Sequence, residues 1–157
     1  MKNIKIWYLD HSSFAVKVKN KVLIFDYHND QEFNGKKGFE GGVIRPEELK
    51  GLDVFVFVSH SHNDHYNPII HSWEKEARKI TYIFSSDVEE KDTHKVHLVE
   101  PHKEYDFHGI HIKTLLSNDM GVAFYVTIEG LHFFHSGDLN WWRWPQESKE
   151  WNDGMEK

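Results

Sequence analysis

Cysteine is absent from this chain of 157 residues, which removes disulfides, thiolate metal ligands and a cysteine nucleophile from consideration. Positive charge is scarce as well: 19 Lys and Arg stand against 25 Asp and Glu, for a formal net charge of -6. A general nucleic-acid binder is therefore disfavoured, because neutralising phosphates takes a basic stripe. Lys17, Lys19 and Lys21, and the pair Lys36-Lys37, read as solvated strand edges and a loop. No apolar run approaches the roughly 20 residues that span a bilayer, and the N-terminus lacks a signal-peptide pattern. With no repeat, linker or second domain in the sequence, residues 1–157 are expected to form a single domain in the cytoplasm.

Histidine, by contrast, is abundant, with 13 in all. Three of them fall in Ser59-His60-Ser61-His62-Asn63-Asp64-His65, directly after the apolar run Val54-Phe55-Val56-Phe57-Val58, which reads as a buried strand. Three imidazoles and a carboxylate crowded together repel one another or lack partners unless a cation neutralises them. A divalent metal ion is the simplest candidate. On an extended segment, residues two apart face the same way, so His60 and His62 can present their rings to one ion. Asp64 and His65 are adjacent where the chain turns away; they point in different directions and suit a second ion. Paired ions roughly 3.5–4 Å apart can hold a hydroxide and stabilise both the attacking and the leaving oxygen of a displacement.

This His-x-His-x-Asp-His pattern after a hydrophobic strand resembles the signature of the metallo-β-lactamase superfamily. Asp26, at the end of Lys21-Val22-Leu23-Ile24-Phe25-Asp26, resembles the aspartate the family keeps after its early hairpin. Ser136-Gly137-Asp138 is similar to the Gly-Asp whose carboxylate bridges the two metals. The N-terminal Tyr8-Leu9-Asp10-His11-Ser12-Ser13-Phe14 and His135-Ser136-Gly137-Asp138 resemble the branch related to ascorbate-lactone hydrolases. The resemblance implies an α+β fold, an αββα sandwich of the metallo-β-lactamase type. It implies a metal set of His60, His62, Asp64, His65 and Asp138, holding one or two zinc ions or, alternatively, manganese or iron. It also implies hydrolysis of an ester, lactone or phosphodiester-type small molecule by a metal-bound hydroxide. Asp64 is the candidate catalytic residue, binding metal and relaying a proton to the leaving group.

Two departures from the family pattern bear on that reading. Aligning Gly121 places Asn118 where the family has another metal-binding His, so Asp119 or water is expected to complete the first position. No His follows Asp138 before the chain stops at Lys157, which leaves Asp64, His65 and Asp138 for the second. A C-terminally shortened homologue, a fragment, and a site completed by a partner are all compatible with this. The rival reading is a non-catalytic metal-binding or structural homologue acting by association.

Most of the remaining sequence reads as strand. Residues 4–9, 14–18 and 22–25 form a meander turning at Asn20-Lys21, and further strands are expected at 80–84, 96–99, 110–115, 122–128 and 131–134. The polar stretch from His28 to Gly42 reads as a functional flap or a disordered loop. Pro46-Glu47-Glu48-Leu49 reads as a helix start or turn, and Pro68 to Lys79 as a short amphipathic helix. His94, His97, His108, His111 and His132 are expected at the surface or in structural roles. His11 and His135 either support the metals or substrate or are plain satisfied imidazoles. Trp141-Trp142-Arg143-Trp144 and Trp151 are expected to pack on the core or cover an interface, which makes homo-oligomers through this end a candidate; the other reading is a wall of the substrate pocket, with Arg143 holding an anion.

Overall fold

Alternating apolar residues and short turns set the first three strands: β1 (Ile4–Asp10), β2 (Ser13–Val18) and β3 (Lys21–Phe25) pair antiparallel as a meander. Their second turn falls one residue earlier than expected. Lys19 takes the left-handed conformation (φ 56°), and Lys21 already pairs with Val18. The next three strands, β4 (Asp53–Val58), β5 (Lys79–Ser85) and β6 (Val96–Val99), join β3 in parallel, giving a six-stranded sheet in sequence order. A parallel strand covered on both faces should be apolar throughout, and β4 is buried from Val54 to Val58. The computed structural model describes residues 3–89 and 95–155.

The second sheet is an antiparallel meander of β7 (Glu104–Phe107), β8 (Ile110–Leu116), β9 (Val122–Ile128) and β10 (Leu131–His135). Its hairpins turn at His108-Gly109 (φ 49° and 82°) and Glu129-Gly130 (φ 53° and 71°). Positive φ at both central residues is the primed geometry that matches strand twist. Leu23, Phe25, Phe55 and Phe57 on one sheet pack between the layers against Ile112, Phe124 and Val126 on the other. The opposite face of the large sheet carries Ile24, Val56 and Tyr82 under Trp73, Leu49 and Phe39.

That outer layer is built of 3₁₀ turns where an α-helix was expected. Pro68–Lys75 is a 3₁₀ helix capped by Asn67, whose side chain accepts from Ile69 N (3.0 Å). Ile70 and Trp73, three residues apart, are its buried residues, and three is the repeat of a 3₁₀ turn. Pro46–Leu49 is a second such turn. The stretch 28–42 is folded rather than loose: it contains the turn Gly38–Gly41, and Phe39 is buried and stacks on Trp7 with ring centroids 4.5 Å apart. Ile44 N, just beyond, donates to Tyr27 Oη (3.1 Å). Among the described residues the single α-helix is α1 (Lys149–Gly154). None is long and apolar enough to cross a membrane. On the second sheet, the register partners Lys113 and Tyr125 are both exposed, so the outer layer is thin there. The result is the expected α+β sandwich. His94 lies outside the described residues; His97 is exposed on β6 with its ring against Phe107 (4.4 Å).

Candidate metal centre

The C-terminal ends of β3, β4 and β10 converge on one point, and at its base lies Asp26. This residue follows β3 in the left-handed conformation (φ 47°), with its N–H bonded to Phe57 O (2.9 Å). Its fully buried carboxylate receives four hydrogen bonds. Ser59 N donates to Oδ1 (2.7 Å); Ser59 Oγ (2.7 Å), His65 Nδ1 (2.8 Å) and His135 Nε2 (2.6 Å) all donate to Oδ2. Burial alone would raise the Asp26 pKa. The charges and hydrogen bonds of His135 and His65 outweigh burial and hold it well below the usual carboxylate range.

A permanently charged acceptor fixes the tautomers around it. With Nδ1–H committed to Asp26, neutral His65 has its lone pair on Nε2. Ser59 spends its own hydrogen on Asp26 and accepts from His60 Nδ1 (3.0 Å), so the His60 lone pair is on Nε2 as well. Both Nε2 atoms are buried and have no hydrogen-bond partner. Both face Asp138: His60 Nε2 lies 3.8 Å from Oδ2 and His65 Nε2 3.2 Å from Oδ1. Burial, then the neighbouring His65, push the His60 pKa down. Burial opposes charge on His65 too, yet the bond and charge of Asp26 raise its pKa overall.

Close backbone approach makes this possible. Val122 N donates to Ser59 O (2.9 Å), and Gly121 (φ 65°) lies so close that a Cβ there would sit 2.0 Å from that oxygen. Gly137 (φ 53°) lies over the Ser59 side chain, and a Cβ there would fall 2.7 Å from Oγ. The loop carrying the histidines is also tied to the end of β5 through Ser61 N, which donates to Asp87 Oδ2 (2.9 Å).

All five residues expected to bind metal converge, in two groups. Donor atoms of His60, His62, Asp119 and Asp138 lie within 4.8 Å of one another, as do those of His11, Asp64 and His65. His62 Nδ1 is 3.7 Å from Asp119 Oδ2, and His11 Nε2 is 3.4 Å from Asp64 Oδ2. Burial would raise the Asp64 pKa, but a backbone hydrogen bond and the neighbouring His65 and His11 lower it. Asn118 lines the same cleft as His62, Asp119 and Asp138, with its amide committed to the C-terminal segment. It accepts from Asn140 N (3.0 Å) and donates to Asn140 O and Met155 Sδ, tying down the C-terminal segment. His135 is a buried partner of Asp26. Ser59 was not singled out from the sequence, although its place directly before His60 was a usable signal.

Trp141, Trp142 and Trp144 do not pack on the core, one of the two environments expected for them; their exposure is compatible with the other, cover of an interface. Trp141, Trp142 and Trp144 are 79%, 55% and 46% exposed, and Arg143 pairs with Asp153 (3.1 Å). Trp142, Trp144 and Trp151 instead form one wall of a cleft of about 610 Å³ whose other wall includes His62, Asp119 and Asp138.

Residues 5–150 match the family model described as the beta-lactamase superfamily domain. No curated protein matches. Among solved structures, a protein from Parabacteroides distasonis described as a metal-dependent hydrolase is similar at 14% identity and a TM-score of 0.57, over 87% of this chain and 61% of its own. A metallo hydrolase from the archaeon Ignicoccus hospitalis is similar at 16% identity and 0.58, over 85% and 60%. The diiron β-hydroxylase CmlA from Streptomyces venezuelae shares the fold at 10% identity and 0.61, over 88% of this chain and 30% of its own. This chain thus spans about 60% of the length of the first two. With its histidine loop, its converging carboxylates and a family match running through nearly all of it, the chain belongs to the metallo-β-lactamase superfamily.

Proposed function

We propose that this protein is a metal-dependent hydrolase acting on a small molecule bound in the tryptophan-walled cleft. The observation that carries the proposal is the pair of buried, unpartnered nitrogens, His60 Nε2 and His65 Nε2, both facing Asp138. Leaving such atoms dry and unbonded costs about 1–3 kcal/mol each, a cost that a cation removes. His60, His62, Asp119 and Asp138 are the residues for one ion, and His65 and Asp64 with Asp138 begin a second position. Nitrogen and oxygen donors without thiolate suit zinc first, then manganese or iron. When bound, such ions act as Lewis acids toward a carbonyl or phosphoryl oxygen and bring the pKa of water toward neutrality.

The protein's own residues supply the rest. Asp26 and Ser59 hold the imidazoles in the tautomer that presents Nε2. Asp64, a carboxylate charged at neutral pH, is positioned to relay a proton from the attacking water to the leaving group. Trp142 and Trp144 keep water from one side of the substrate and offer it apolar faces. Asp119, Asp138 and Glu147 make the cleft acidic, which disfavours a nucleic acid as the partner. We place the protein in the cytoplasm, with self-association through exposed Trp141. The test is metal analysis of the purified protein, then lactone, ester and phosphodiester substrates with His60→Ala and Asp138→Ala as controls. Turnover lost in both variants is expected; bound metal without turnover sensitive to these substitutions would leave a metal-binding homologue that is not an enzyme.

A further inference from the structure

Asp64 and His65 give a second ion one carboxylate and one imidazole of their own, with Asp138 shared. We propose that His11, in the turn between β1 and β2, is the further ligand that completes this position, so that the chain's own residues can hold a second divalent cation. This rests on the metal-centre reading given above. His11 Nε2 lies 3.4 Å from Asp64 Oδ2, and one potential ligand atom from each of His11, Asp64 and His65 falls within 4.8 Å of the others. Ser12 Oγ occupies the other His11 nitrogen, Nδ1 (3.0 Å), which leaves Nε2 for the site.

An ordinary surface ion pair between His11 and Asp64 accounts for less of what is seen. Both side chains are about half exposed, and pairs of that kind contribute little. Nor does such a pair give any partner to His65 Nε2, which is buried without a hydrogen-bond partner 3.2 Å from Asp138 Oδ1, on a ring whose centroid lies 5.6 Å from that of His11. A cation shared by His11, Asp64 and His65 satisfies all three. The position of Asp138 fits the same arrangement, since its two oxygens divide between the groups, Oδ2 nearer His60 and Oδ1 nearer His65.

The experiment uses the full chain, stripped of metal and reloaded with Mn²⁺ or Zn²⁺. His11→Asn is the variant, because Asn tolerates the left-handed backbone that His11 adopts (φ 48°) while removing the imidazole. Wild type is expected to bind two ions per chain and to give a spin-coupled Mn²⁺ signal. H11N is expected to keep one ion, to bind a second at least about 100-fold more weakly, since even groups that only orient a ligand are worth 10–100-fold, and to show an uncoupled six-line spectrum. Its metal-free melting temperature should match wild type within about 2 °C. Two ions in H11N with affinity within threefold of wild type would overturn the assignment of His11 and leave the metal centre standing. Wild type that binds no ion, or a His60→Ala variant that loads like wild type, would remove the underlying reading and His11 with it.

Discussion

Replacing Asp26 with Asn preserves volume and tests whether a buried charge sets the chemistry of the site from behind. The amide oxygen can keep the bond from Ser59 N. At the other position, three hydrogen-bond donors converge: Ser59 Oγ, His65 Nδ1 and His135 Nε2, at 2.7, 2.8 and 2.6 Å. An NH₂ group placed there is itself a donor with two hydrogens, so its neighbours must become acceptors. For His65 that moves the lone pair to Nδ1 and the proton to Nε2, the atom that faces Asp138. Each charge-assisted bond is worth about 1.5–3 kcal/mol, and breaking a buried charge pair typically costs about 3–5 kcal/mol. At roughly 2–4 °C per kcal/mol for a chain of this size, D26N should melt about 6–20 °C lower without metal. Its zinc affinity should fall by a further 10–100-fold, the usual effect of removing the group that orients a metal-binding imidazole. Differential scanning calorimetry of metal-free protein and competition with a chelating dye measure the two quantities. A melting temperature within about 2 °C of wild type, together with zinc affinity within threefold, would refute the tautomer argument.

Two further substitutions probe the scaffold. Gly137→Ala puts a methyl group 2.7 Å from Ser59 Oγ and 2.8 Å from Ser59 Cβ at φ 53°, so urea denaturation should show a loss of about 2–4 kcal/mol from overpacking plus left-handed strain; a loss under 1 kcal/mol means the turn is not pressed onto Ser59. Asn118→Ala removes the ties to Asn140 and Met155, so chymotrypsin should cut after Trp141 and Trp142 at least severalfold faster while global stability falls by only about 1 kcal/mol; unchanged cleavage would show that other contacts anchor this segment.

Contiguity decided what was legible in the sequence. His60, His62, Asp64 and His65 sit in one loop behind an apolar strand, and a parallel strand in a sandwich can do little but deliver that loop to the sheet edge. The long alternating runs became β8, β9 and β10 for the same local reason. β7 was missed because it has four residues and its only apolar members are Tyr105 and Phe107. The helix expected from Pro68 became a 3₁₀ turn because Lys79 had to enter β5 so soon after it. The bond network of Ser59 depends on Asp26, 33 positions away, and no local pattern reports such a partner. Tryptophans at 141, 142 and 144 carry no period that separates a core face from a cleft wall.

Charge balance ties the two halves of the site together. Asp26, Asp64, Asp119 and Asp138 bring four carboxylates to a cluster whose imidazoles His11, His60, His62 and His65 are neutral when they bind metal, while His135 is bonded to Asp26. The formal charge of -4 is what two divalent cations cancel, whereas one cation leaves a deficit that protons must fill. His65 stands where that deficit is felt most, held between Asp26 on Nδ1 and Asp138 on Nε2. Its raised pKa in the metal-free protein is the same demand for positive charge, which favours a proton there when no ion is bound. Loading the second position must therefore expel that proton, so affinity there should weaken with falling pH more steeply than at the position of His60, whose pKa burial has already depressed.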